Sequence, residues 1–163
     1  MDEVDRILSA WARELPGLDL GPLRVLSRVS RLARLLDLTR RSAFAAHGLD
    51  VWEFDVLAAL RREGAPYELS PGELIRQTLS TSGTMTNRID RLEGRGLVRR
   101  LPDPSDRRGV RVRLLEGGRL AVDGALADLL VSERAVLAAL TAPERDELAE
   151  LLRRLTTAFE AVP

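Results

Sequence analysis

A mainly α-helical fold with a small β-wing is predicted by three features of this chain. Residues 69–98, LSPGELIRQTLSTSGTMTNRIDRLEGRGLV, hold two short helical patterns joined by a tight link. The extended, basic segment RRLPDPSDRRGVRVRLL follows at once and reads as two strands around a turn. Leucine-rich helical stretches on either side offer more apolar surface than one short winged unit can cover. The expectation is a single domain spanning residues 1–163, in which residues 49–115 form a winged helix-turn-helix unit. Residues 1–48 and 116–163 would supply N- and C-terminal helices that intertwine with a second copy as a dimerisation region, the alternative being a helical bundle within one chain.

Composition narrows the function classes. With 45% hydrophobic and 31% charged residues the chain is neither disordered nor fibrous. The absence of cysteine removes disulfides, thiol chemistry and cysteine-rich zinc sites. The one histidine, His47, precedes Gly48 and reads as a helix-end residue, so no metal or other cofactor is expected. No Ser/His/Asp grouping, phosphate-binding glycine loop or paired carboxylate stands out, and an enzyme is not expected. The opening MDEVDRI is acidic, and no apolar run is long enough to span a bilayer, so a cytoplasmic protein with no membrane partner is expected.

The net charge is zero, but it is unevenly distributed. From Arg88 to Arg113 nine arginines face four acids, a surplus of five, whereas from Leu120 onward four arginines face eight acids. Basic charge is therefore concentrated on the proposed helix-and-wing reader.

Taken in order, residues 2–15 place Val4, Ile7, Leu8, Trp11 and Leu15 at helical spacing, and Pro16-Gly17 ends that helix. Trp11 reads from the residues alone as a packing anchor. Asp19 is placed to cap a second helix running to Gly48, with Leu26, Val29, Leu32 and Leu36 on its apolar side. The arginines of that helix, Arg40 and Arg41 among them, read as a solvated face or as interhelical pairs rather than a second DNA site. A third helix, VWEFDVLAALRREG, turns Val51, Phe54, Leu57 and Ala58 inward, with Trp52 as a further candidate, and brings Asp55 into an apolar neighbourhood, where a carboxylate calls for a cationic partner. Ser70, Pro71 and Glu73 form a capping signature for the next helix.

In the following helix Met85, Ile89 and Leu92 make one apolar stripe. Gly83, Thr84, Thr86, Asn87 and Arg91 lie opposite, a face of small or hydrogen-bonding groups suited to a major groove about 12 Å wide. Gly94 and Gly96 close that helix. Strands are expected over Leu97–Leu101 and Val110–Leu114, with Arg107 and Arg108 on the hairpin tip for the minor groove and Asp103 and Asp106 shaping the loop. A long helix follows the wing, and Thr141-Ala142-Pro143-Glu144 opens a last one with Leu148, Leu151, Leu152, Leu155 and Phe159 in a stripe.

The reading helix ending in NRIDRLEGRGLVRR and the wing DPSDRRGVRVRLLEGG resemble the MarR family of winged helix-turn-helix regulators over essentially the whole chain. One departure is Leu115-Glu116 where the family has Leu-Thr, so Glu116 or Gly117 is expected to cap the helix after the wing. The resemblance implies a homodimeric transcriptional regulator, a repressor on double-stranded palindromic DNA, with Thr84, Thr86, Asn87, Arg91, Arg107 and Arg108 on DNA. A finer likeness, to the urate-responsive PecS/HucR-type branch, implies a small anionic effector such as urate bound through Trp11, Asp55, Arg88 and Arg100. Arg88 falls three residues after Met85, on the protein-facing side, and Asp55 is its expected partner. Trp11 is expected to cover Arg100 and an anion bound there. Two alternatives stand beside this: the same architecture with a tricarboxylate, aromatic acid or antibiotic as effector, and an architectural module with no effector.

Overall fold

The computed structural model describes residues 1–106 and 109–160. Among these the order is α1 (Glu3–Glu14), α2 (Gly21–Ala45), α3 (Val51–Arg62), β1 (Glu68–Leu69), α4 (Pro71–Thr78), α5 (Ser82–Gly94), β2 (Val98–Pro102), β3 (Val110–Leu114), α6 (Glu116–Leu137) and α7 (Ala142–Glu160). The fold is mainly helical with a small antiparallel wing, as the sequence predicts. No helix among the described residues is long and apolar enough to cross a membrane.

The core is built around α3. Val56, Leu57, Ala59 and Leu60 are fully buried there, and Phe54 stacks on Phe44 of α2 with ring centroids 3.8 Å apart. Leu74 of α4, Met85, Ile89 and Leu92 of α5, Val98 and Val112 of the wing, and Val122, Ala125 and Leu129 of α6 complete it. The expected inward set of Phe54, Leu57 and Ala58 is buried, while Val51 and Trp52 pack partly buried at its edge.

Local signals end most elements where the sequence places them. Ser70 and Glu73 form the reciprocal box that starts α4. Gly96, at φ +68°, closes α5: its N–H donates to the Glu93 carbonyl at 2.9 Å and the Leu97 N–H to the Leu92 carbonyl at 3.0 Å. Glu144 accepts from both the backbone N–H and the hydroxyl of Thr141 at 2.7 Å, at the head of α7.

Three expectations are corrected. The residue before α2 is Leu20, which makes no side-chain cap; the Asp19 carboxylate instead accepts from the Gly21 N–H at 2.8 Å, one residue out of register for a cap. The wing has three strands rather than two, in the order β1-β3-β2, with Leu69 opposite Val112 and Arg100 opposite Val112 on the other side. A two-residue strand leaves no periodicity to read. Neither Glu116 nor Gly117 caps α6: Leu115 holds that position without a side-chain bond, and its N–H is tied to the Leu97 carbonyl at 3.0 Å.

The long flanking helices leave much apolar surface uncovered. On α2 only Ala43 and Phe44 are buried, while Leu26, Val29 and Leu32 of its expected apolar side are exposed. No described residue of α7 is buried. A groove of about 1030 Å³ runs between these two helices, lined by Val25, Val29, Leu32, Leu148, Leu151 and Leu155 among others.

Candidate nucleic-acid interface

Burying Met85, Ile89 and Leu92 decides what α5 shows to solvent. The helical period puts Gly83, Thr84, Thr86, Asn87 and Arg91 outside, and all five are exposed. Thr84 takes part in the start of the helix, its hydroxyl accepting from that of Thr81 at 2.8 Å. Thr86 donates back to the Ser82 carbonyl at 3.2 Å. The Asn87 side chain has no hydrogen-bond partner among the described residues, so its amide is available to a base edge. Arg91 lies with its guanidinium carbon 4.9 Å from the centroid of the Trp52 ring.

Arg107 and Arg108, expected on the wing tip, lie outside the described residues. Of the two acids expected to shape the loop, Asp103 does so through its side chain. Asp103 accepts from the hydroxyl and the backbone N–H of Ser105 at 2.6 and 2.8 Å, which holds its carboxyl below the ordinary range. The Asp103 N–H in turn donates to the Gly109 carbonyl at 3.0 Å, closing the hairpin.

Behind α5, a cavity of about 560 Å³ opens between α2, α3 and the recognition helix. Asp37 and Arg41 of α2, Asp50 at the head of α3, Trp52 and Asp55 of α3, and Arg88 of α5 contribute its polar and aromatic lining. Burial raises the Asp55 carboxyl above its ordinary value; Arg40, and to a lesser degree Arg88, oppose that rise. The direct partner of Asp55 is a correction. It is Arg40 of α2, at 3.3 Å, and not Arg88. Arg40 also lies over the Phe44 ring, 5.3 Å from its centroid, so of the two expectations for the α2 arginines, a solvated face or interhelical pairs, Arg40 makes an interhelical pair. Arg88 donates to the Ser80 hydroxyl at 3.3 Å and lies 5.5 Å from the Trp52 ring centroid.

Of the four residues expected around an effector, the structure brings Asp55 and Arg88 to one cavity and leaves Trp11 and Arg100 out of it. Arg100 is held elsewhere, by Asp90 at 2.6 Å and Glu93 at 2.8 Å on α5, while its backbone N–H donates to the other Glu93 oxygen at 2.8 Å. It fastens the first long wing strand to the recognition helix. Trp11 sits on α1 with its side chain half open and has no ring partner among the described residues. Sequence reasoning placed Arg40 and Arg41 on a solvated face or in interhelical pairs and Trp52 on the inward side, and assigned none of the three to the site. The available signal was the spacing of Trp52 and Asp55, one turn apart on the same face of α3.

Comparison with known proteins agrees with this geometry. A family model described as MarR family matches residues 47–109. The chain is 36% identical over 153 residues to the HTH-type transcriptional regulator PecS of Dickeya dadantii, covering 94% of this chain and 92% of that protein. Its fold is similar to that of a MarR family protein from Bacillus stearothermophilus, with a TM-score of 0.74, 26% identity, and 88% of this chain and 99% of that one covered. It is also similar to Bordetella bronchiseptica BpsR, in a structure describing regulation of DNA binding by 6-hydroxynicotinic acid: TM-score 0.60, 28% identity, 79% of this chain and 98% of that one.

Proposed function

The chain belongs to the MarR family and is a DNA-binding transcriptional regulator of the winged-helix type, not an enzyme, and from that premise we propose that it acts as a homodimeric repressor released by a small anionic metabolite such as urate. The observation that carries the effector reading is the position of Arg88. It projects from the DNA-reading helix into the wall of a cavity that also holds Asp55 and Trp52, so a ligand seated there bears directly on α5. An arginine and an indole beside one another offer an anionic ring both charge-assisted hydrogen bonds and a stacking face.

Thr84, Thr86, Asn87 and Arg91 read the major groove in this proposal, and Arg107 and Arg108 reach the adjacent minor groove. The uncovered leucines of α2 and α7 support pairing with a second copy, which places two recognition helices about 34 to 36 Å apart on a palindromic site. Arg100 enters as a second lever, because an anion competing for it frees Asp90 and Glu93 on α5. Trp11 enters as an open indole that closes over the ligand once the dimer is formed.

Effector and operator prefer different arrangements of α5, so each weakens the other by the same factor, about five- to 150-fold for couplings of this kind. The test is a titration on a duplex selected from a randomised pool, with and without urate, 6-hydroxynicotinate and citrate. Release by urate supports the proposal. The BpsR likeness favours one second reading, an aromatic carboxylate effector, which release by 6-hydroxynicotinate alone would select. A duplex retained under all three sinks the effector reading and leaves a ligand-independent DNA binder.

A further inference from the structure

Trp52 stands between two cavities. On one side its indole lines the charged cavity with Asp55 and Arg88; on the other it lines a shallow cleft with Gly83, Thr84, Asn87 and Arg91. The second set is the groove-facing surface of α5, although Trp52 itself belongs to α3. Arg91 and Arg88, one turn apart on α5, both place a guanidinium over this ring, at 4.9 and 5.5 Å from its centroid.

The two arginines differ in what else they hold. Arg88 has the Ser80 hydroxyl, whereas Arg91 makes no ion pair or side-chain hydrogen bond among the described residues, so the indole is its one side-chain anchor there. An arginine reads guanine by presenting its planar fork to the O6 and N7 edge. A long, freely rotating side chain must be ordered before it can do so, and that entropy is lost from binding. A fixed aromatic face beneath the guanidinium sets its tilt in advance, and the ring is itself held because the helix under it carries the core.

We propose that Trp52 is a positioning residue for base recognition, fixing the Arg91 guanidinium at the reading face and so contributing to sequence preference from a helix that does not enter the groove. The proposal rests on α5 being the DNA-reading helix.

The experiment uses the full chain and the tightest duplex recovered from a randomised pool, compared with its single-base variants and an unselected duplex. Trp52→Leu is expected to lower selectivity at the guanine that Arg91 contacts by about tenfold. Affinity for the unselected duplex and the salt dependence stay as in the wild type, because phosphate contacts are untouched. Trp52→Phe, which keeps a π face, stays within about threefold of wild-type selectivity. In an Arg91→Ala background, Trp52→Leu causes no further loss. Should Trp52→Leu not fold, Trp52→Met, closer in volume and without a π face, is read in the same way.

Selectivity unchanged in the variant without a ring, or losses that add in the double variant, would overturn the proposal. So would a fall in selected and unselected binding in the same proportion, which marks a purely structural role. A wild-type chain that selects no duplex would sink the assignment of α5 together with the proposal, and that failure is told apart from failure of Trp52 alone by the wild-type arm.

Discussion

Arg95 donates to Glu53 at 2.6 Å, joining the turn that ends the recognition helix to the first turn of α3. Glu53 is 2% exposed, the one buried charged side chain among the described residues, and its second oxygen accepts from the Asp50 N–H at 2.9 Å. Arg95 reaches the Gly48 carbonyl as well, at 2.8 Å, so a single guanidinium fixes where α5 ends relative to the α2–α3 turn.

Removing that cation leaves a buried carboxylate with only its backbone donor. Arg95→Met is expected to destabilise the protein by about 2 kcal/mol, less than a fully buried pair would lose because Arg95 itself faces solvent. Glu53→Gln retains the cap and costs less. Urea unfolding of the two variants measures both, and an Arg95→Met midpoint equal to the wild type would show the pair to be screened out.

Asp55 makes the protein sensitive to pH in a stated direction. Burial raises its carboxyl above 3.8, the ordinary value at which it titrates in the unfolded chain. Its contribution to stability is therefore present below that value and is lost as pH rises through the raised one. Asp55→Asn should melt above the wild type near neutral pH, with the difference closing toward about pH 4. A variant that melts lower at neutral pH would mean that the ion pair to Arg40 outweighs the penalty of burial.

Gly118 and Gly117 begin α6 side by side and should respond to alanine in opposite ways. A Cβ at Gly118 would lie 2.3 Å from the Leu97 carbonyl oxygen and 2.8 Å from the Leu114 side chain, whereas one at Gly117 meets nothing closer than 3.7 Å. Gly118→Ala is expected to cost about 1–3 kcal/mol and Gly117→Ala to be tolerated. Thermal unfolding of the pair checks this, and equal melting temperatures would show that α6 can shift freely against the wing.

The wing arginines are tested through salt. Arg107→Ala combined with Arg108→Ala should weaken DNA binding and reduce the slope of log affinity against log salt by about two, nearly one for each phosphate that is no longer neutralised. Titrations over a range of sodium chloride concentrations give the slope, and a value unchanged from the wild type would place the tip away from DNA.

The parts of this protein that its residue order determined are those written in near neighbours. Met85, Ile89 and Leu92 can face only one way once the segment is helical, so the exposed set from Gly83 to Arg91 follows from the period alone. Ser70 with Glu73 and the Gly96 turn are read within a few residues for the same reason. What only the tertiary structure decided depends on segments far apart in the chain. Arg40 rather than Arg88 meets Asp55 because α2 packs against α3, and Glu53 is buried beneath an arginine 42 residues away. Two residues become β1 only because β3 offers them an edge. Arg100 is claimed by two acids of α5 instead of opening to the cavity, a pairing near in sequence that still needs the wing strand to fold back along the helix. Periodicity records which face of an element is apolar, but not which charged group a crossing helix will carry to it; that is set by packing, where many contacts compete and the closest approach takes the ion pair.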